Sequence, residues 1–259
     1  MQSYLSEDFH NIYYCPSKED QTTIIPDHYN FRTTRRECTG EVMSQGYCSS
    51  AYAIVAASVL SDRLCLVNHK RVALSPQYII SCDNMTNENC TRGYIQQAWK
   101  HYQDNKFLVE NCLPYTFGKS LECNPKCSKV VDNSNKFMGV CGLNDVQSIK
   151  REILQNGPVA AMITVYDDFL TYKSGIYDQS HHTYSYAGSH TIKVIGWGEE
   201  NNVKYWIIEN SWGSDWGEDG YARLLLEGGD DIGISRMIIA PVIQGEKEDR
   251  SKEPGPENS

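Results

Sequence analysis

The sequence has no excess of positive charge, no long apolar run and no leader-like beginning. Its formal net charge is −9. That balance argues against nucleic acid and against anionic membrane surfaces as partners. No apolar stretch approaches the roughly 18–20 residues that cross a bilayer, so no membrane span is expected. Residues 1–8 contain neither the basic n-region nor the apolar h-region of a signal peptide. Either a signal and pro-segment lie upstream of Met1, or the protein is not exported by that route.

Cysteine, by contrast, is abundant. There are ten in 259 residues, and Asn84-Met85-Thr86 and Asn89-Cys90-Thr91 are both acceptor sequons for N-glycosylation. Together they favour an oxidising compartment, either extracellular or the lysosomal or endosomal lumen. The missing signal leaves an intracellular assembly open as the alternative. Seventeen tyrosines and five tryptophans suit a globular chain with a cleft, and the length suffices for one large domain or two small ones.

The most informative stretch runs from Gln45 to Ala57. Gly46 supplies the backbone freedom of a tight turn, and Ser49 and Ser50 are N-cap candidates for a helix ending near Val67. Ala53, Ala56, Ala57 and Leu60 recur at helical spacing, so one face should be buried. A thiol at such a helix start would have a lowered pKa, because free N–H groups and the positive dipole end favour its anion.

This stretch resembles the active-site helix of papain-like cysteine proteases, the cathepsins, which reads Gln-x-x-Cys-x-Ser-Cys-aromatic-Ala. Gln45, Cys48, Ser50, Tyr52 and Ala53 match, and Ala51 stands at the nucleophile position. The resemblance covers residues 25 to 241. Ile25 to Arg32 is similar to the start of a mature cathepsin. Tyr205 to Tyr221 resembles the family's Tyr-Trp-x-x-x-Asn-Ser-Trp-Gly-x-x-Trp-Gly-x-x-Gly-Tyr almost completely. His190, in Gly188 to Gly198, resembles the family's histidine strand. His190 and Asn210 lie 139 and 159 residues beyond Ala51 (190 − 51 and 210 − 51), close to the roughly 130–150 typical of the family. Apart from this resemblance, His190 reads equally as a half-buried strand histidine satisfied by a hydrogen bond.

The resemblance implies an α+β fold of two lobes, helical to about residue 130 and mainly antiparallel β after it, with a cleft between. Residues 1–24 would be an arm or pro-region remnant and 242–259 a disordered polar tail. Helices are expected from Ser49, from Leu74 to Cys82, from Gly93 to Gln103 and from Val146 to Asn156, the last stopped by Gly157-Pro158. Strands are expected over Val159–Val165, His190–Trp197, Val203–Ile208 and Gly220–Leu226. Residues 105–140 read as irregular and polar.

In such a site Asn210 would orient the imidazole of His190, and Trp212 would shield their bond. Gln45 and the backbone N–H of residue 51 would face an oxyanion. No metal or cofactor is implied. A methyl group cannot attack a carbonyl, and Ser50, one residue earlier, should point elsewhere. The chain therefore reads as an inactive homologue that binds a peptide or protein in its cleft or serves as an assembly partner. The alternative is an active cathepsin B/C-like peptidase whose Cys was changed to Ala51 by engineering. Ser49 stands where the family has Gly, and Arg92 occupies a Gly position before Gly93, where it would crowd or charge the cleft. These departures favour natural loss. Tyr52 is less telling, since cathepsin C types share it.

Segments near Cys65 and over Phe169 to Tyr177 resemble cathepsin B, and Val165 to Leu170 resembles cathepsin C. Gly188 to Thr191 with Trp197 to Glu200 and Lys204 to Trp206 resembles the tubulointerstitial nephritis antigen group, cathepsin B relatives that lack the Cys. No His lies between Cys112 and Cys127, so dipeptidyl carboxypeptidase action is not supported. Ser235 stands where cathepsin B has its pocket Glu, which removes a preference for basic side chains. The pair His181-His182 reads as a solvated loop rather than a metal site. The family pattern implies pairs Cys48–Cys90, Cys38–Cys65 and Cys82–Cys127. It leaves Cys112 with Cys123, and Cys15 with Cys141 tying the arm to the β lobe. Maleimide should label few thiols in the native, unreduced protein. Labelling of all ten would instead favour the intracellular reading.

Overall fold

The computed structural model of the chain describes residues 14–15, 24–83, 88–119, 121–125, 130–131, 137–178, 185–226, 234 and 238–244. Asn84, Cys127, His181, His182, Ser235 and nearly all of the two terminal segments lie outside them. The described chain runs β1 (Tyr29–Asn30), α1 (Phe31–Thr34), α2 (Ala51–Asn68), α3 (Pro76–Cys82), α4 (Ile95–Asp104), β2 (Phe107–Leu108), β3 (Val130–Val131), β4 (Phe137–Leu143), α5 (Val146–Asn156), β5 (Val159–Tyr166), α6 (Asp167–Leu170), β6 (Ile176–Tyr177), β7 (Tyr186–Glu200), β8 (Val203–Glu209), β9 (Tyr221–Leu225) and β10 (Ile238–Ile243).

Alanine-rich sequence favours α2 locally, and burial completes it. Residues from Ala51 to Cys65 are nearly all buried, on every face rather than one. The helix is long and apolar enough to cross a membrane, contrary to the expectation of no such run, but most of it is buried inside the fold. That burial accounts for its composition. Ser50 is the N-cap residue, yet its side chain caps no backbone N–H. Its Oγ is instead 2.6 Å from the Tyr115 hydroxyl. Ser75 does cap α3, accepting from the Tyr78 N–H, with Pro76 in the first turn. Trp99 of α4 donates its indole N–H to Ala56 O at 3.0 Å, which seats α4 on α2. These helices and Phe107 enclose one apolar cluster.

The second cluster lies against the sheet, around Phe169, Trp197 and Trp206. The sheet order is β4-β10-β5-β7-β8-β9-β6, with β1 also on β7, and all its pairings are antiparallel except β6 with β9. A Cβ on Gly196 would sit 2.0 Å from Tyr29 O, so only glycine lets β1 close on β7. Helix α5 matches its expected bounds, and Asp145 caps it by accepting from the Ser148 N–H. Strand β7 is longer than expected, because β5 and β8 pair with different portions of it. The expectation of irregular polar chain over 105–140 is corrected at both ends. Phe107 and Leu108 are buried in β2, and Phe137 begins β4. Strand β4 escaped notice because its two glycines and alternating exposure blur its pattern.

Four disulfides join described cysteines: Cys15–Cys141, Cys38–Cys65, Cys48–Cys90 and Cys82–Cys123. The last overturns both Cys82–Cys127 and Cys112–Cys123. Cys123 comes within 4.9 Å (Cα–Cα) of Cys82 at the end of α3, inside disulfide reach. Cys112 is also disulfide-bonded.

Two buried cations pin α2 to the β lobe. Lys193 on β7 is 1% exposed. It pairs with Asp62 of α2 at 2.6 Å and with Glu209 of β8 at 3.1 Å, and donates to Ser58 Oγ at 2.9 Å. Burial opposes its charge, but the Asp62 and Glu209 carboxylates outweigh it and hold Lys193 above the ordinary lysine value. Arg63, one residue after Asp62, is 2% exposed. It donates to Pro158 O, Gly157 O and Pro241 O and pairs with Glu152 at 2.7 Å. Lys193→Met should cost about 3–5 kcal/mol in urea unfolding, because it leaves Glu209 buried without its ion-pair partner and Asp62 with Arg71 alone. A cost below about 1 kcal/mol would show that Lys193 does not hold the lobes together.

Candidate active site

The turn before α2 is stitched to the end of β8. Gln45 N donates to Ser211 O at 2.7 Å, Gly213 N donates to Met43 O at 3.2 Å, and Ser44 bridges Trp212. Ser211 Oγ donates to Gln45 Oε1 at 2.8 Å. The Gln45 amide is thereby oriented, and its Nε2 donates one proton to Cys48 O at 3.0 Å. An amide nitrogen carries two protons, so the second remains for the cleft, which Gln45 lines. On the other side of the turn, Cys48–Cys90 and the Ser49 N–H to Cys90 O bond of 2.9 Å hold residues 88–93 beside it.

A cleft of about 370 Å³ separates the two walls. Ser49, Ala51, Tyr52, Arg92 and Gly93 form the helical side, while Val165, Leu170, Ala187, His190 and Trp212 form the other. Ala51 is the first residue of α2 and contributes its methyl. Ser50 is fully buried, turned away onto Tyr115, whose hydroxyl also donates to Gln45 O at 2.7 Å. It is not available as a substitute nucleophile. Tyr52 is buried and donates to Asn89 O at 2.8 Å. A Cβ on Gly93 would meet the Tyr52 ring at 2.4 Å, so these two positions constrain each other. Arg92 does not fill the cleft. It is exposed and paired with Glu88 at 2.6 Å.

His190 Nε2 and Asn210 Oδ1 are 2.7 Å apart. The Ser211 backbone N–H donates to the same Oδ1 at 2.7 Å, which sets that amide oxygen toward both donors. The imidazole therefore carries its proton on Nε2, and Nδ1 holds the lone pair. Trp212 lies over the ring with centroids 4.7 Å apart, and Phe169 and Trp216 pack on Trp212. Burial pushes the His190 pKa down to about 4, against the opposing pull of the Asn210 bond. The imidazole is thus neutral at pH 7. Among the described residues, no carboxylate acts on it to stabilise an imidazolium. Among the described residues no three His, Cys, Asp or Glu side chains gather as a metal site.

The structure thus brings together Gln45, Ser49, Ala51, Tyr52, Arg92, Gly93, His190 and Trp212 around one cleft, with Asn210 directly behind His190. Sequence reasoning missed Tyr115, which ties Ser50 to Gln45, and the buried pair of Asp62 and Lys193. A lysine inside the apolar run Ile192 to Trp197 was the available signal, since lysine is rarely buried unpaired.

Comparison with known proteins shows the family to which this arrangement belongs. The profile described as papain family cysteine protease matches residues 25–242. Cathepsin B-like CP3 of Giardia intestinalis is 34% identical over 227 residues, covering 84% of this chain and 74% of that protein. Cathepsin B-like cysteine proteinase 2 of Haemonchus contortus is 33% identical over 262 residues, covering 88% of this chain and 76% of that one. The solved structure of procathepsin B S9 from Trypanosoma congolense superposes with a TM-score of 0.81 at 27% identity, over 93% of this chain and 85% of that one. The chain belongs to the papain family of cysteine proteases and has its two-lobed α+β fold. Within that family it is a cathepsin B-like homologue.

The neutral imidazole has a measurable consequence. Between about pH 6.5 and pH 4 the unfolded chain binds a proton at residue 190 that the folded chain does not, so ν_U exceeds ν_N and stability falls as pH drops. His190→Gln should flatten that part of the stability curve. Imidazole ¹⁵N spectra should show His190 neutral from pH 7 to pH 5. A midpoint near 6.5 would contradict the environment described.

Proposed function

We propose that this chain is a pseudo-peptidase, a cathepsin B-like protein that binds peptide segments in its cleft and does not cut them. One observation carries the reading. Ala51 occupies the first position of α2 in the cleft, while the His190–Asn210 pair, the Trp212 cover and the Gln45 donor are in place around it. The covalent step needs a thiolate, which a methyl cannot replace. In a serine protease that was dissected residue by residue, removal of the nucleophile costs about a millionfold in turnover. What is left is a shaped groove with fixed donors, and that suffices for recognition. His190, Asn210 and Gln45 keep roles in shaping the groove rather than in chemistry.

Four disulfides among the described residues and the cathepsin B-like relatives fit a secretory or lysosomal setting. We assign the protein to the extracellular space or an endosomal lumen on that basis, with Asn89 exposed for a glycan. The decisive comparison uses the chain as it stands beside Ala51→Cys. The former should bind short peptides and return them intact under mass spectrometry, with no label from a thiol-directed epoxide. Ala51→Cys should remain far below an ordinary cathepsin, because Ser49 still lines the cleft where the family has Gly and Arg92 adds a positive charge to its rim. Full peptidase activity on restoring the thiol would favour the engineered reading. Acyl-enzyme turnover by the Ala51 chain would end both.

A further inference from the structure

The charge of the cleft differs from that of the molecule. The chain carries a formal net charge of −9, yet among the described residues lining the cleft there is no Asp or Glu. Arg92 is the cation there, since His190 is neutral at pH 7. Its backbone is fixed. Glu88 N donates to Arg92 O at 2.9 Å, Thr91 N donates to Glu88 O at 2.9 Å, and the intervening Cys90 is bonded to Cys48 at the turn before α2.

Its side chain is held differently. The guanidinium pairs with Glu88 at 2.6 Å, but the two side chains are 60% and 54% exposed. An ion pair so open to water contributes little, because hydration and screening compete with it. A carboxylate arriving in the cleft can therefore exchange for Glu88 at small cost. It meets a planar donor fork suited to two parallel bonds. The opposite wall is apolar at Val165, Leu170 and Ala187, so a ligand gains burial there while its charge faces Arg92.

Resting on the cleft-binding reading above, we propose that Arg92 makes the cleft selective for peptides bearing a carboxylate, with Glu88 as the internal competitor that occupies the guanidinium in its absence. The carboxylate is either an acidic side chain or a free peptide C-terminus.

Fluorescence polarisation with short apolar peptides tests this at low ionic strength. One set is capped at both ends and carries a single Glu or, in the paired peptide, a single Gln. A second set is uncharged within and ends in a free carboxylate or an amide. In at least one set the carboxylate peptide should bind about fivefold tighter than its partner, the upper range of an exposed pair. The responding set identifies the source of the carboxylate. Arg92→Ala should abolish the preference, and Arg92→Glu should reverse it toward Lys-bearing peptides. Glu88→Ala should enlarge it by removing that competitor. If peptides bind without discrimination, or the preference survives Arg92→Ala, the inference is overturned while the cleft-binding reading stands. If no peptide of either kind binds, both fall together.

Discussion

The fold hinges on the salt-bridged lysine between its lobes. Lys193 reaches from the central strand β7 to Asp62 in the middle of α2, and Glu209 sits directly across from it on β8. Arg63 fastens the next residue of the same helix to the turn after α5 and to β10. Desolvating such ions is costly, and apolar side chains of similar volume often serve stability as well. What the charges add is position. They fix the rotation and height of α2 against β7, and through them the placement of Ala51 relative to His190.

With that placement set, the proposed reading of the site's electrostatics starts from Ala51, the first residue of α2. In a working member of the family a thiolate and an imidazolium stabilise each other. Here the helix start still offers its positive end, but no anion answers it. The imidazole, covered by Trp212 and held by Asn210, keeps its neutral form. Among the described residues lining the cleft there is no carboxylate, and Arg92 is the cation there. On the cleft-binding proposal, recognition is weighted toward the helical rim rather than the middle of the groove.

Much of this was legible in the order of residues. The segment Tyr205 to Tyr221 and the turn at Gln45 carry enough fixed residues to name the fold and to place His190 and Asn210 opposite Ala51. Val146–Asn156 could be bounded because its pattern is amphipathic and Gly157-Pro158 stops it; the structure adds Asp145 as its cap. Elsewhere local signals failed for identifiable reasons. Ser50 has the chemistry of a cap, but Tyr115, distant in sequence, captures its hydroxyl. Strand β10, with a proline in it, draws its stability from β4 and β5 far upstream. The partner of Cys82 depends on where the chain after Lys119 turns back, and no spacing rule encodes that path. Arg92 looked obstructive because its ion pair with Glu88 is a matter of rotamer, not of sequence.

The bond between Cys15 and Cys141, 126 positions apart, closes the chain between them into a covalent ring. It encloses all of α2, α3 and α4 and both flanks of the helical wall. Hydrolysis of any one peptide link inside that ring would open it without dividing the protein. A nicked copy would weigh one water more and would part into fragments only after reduction.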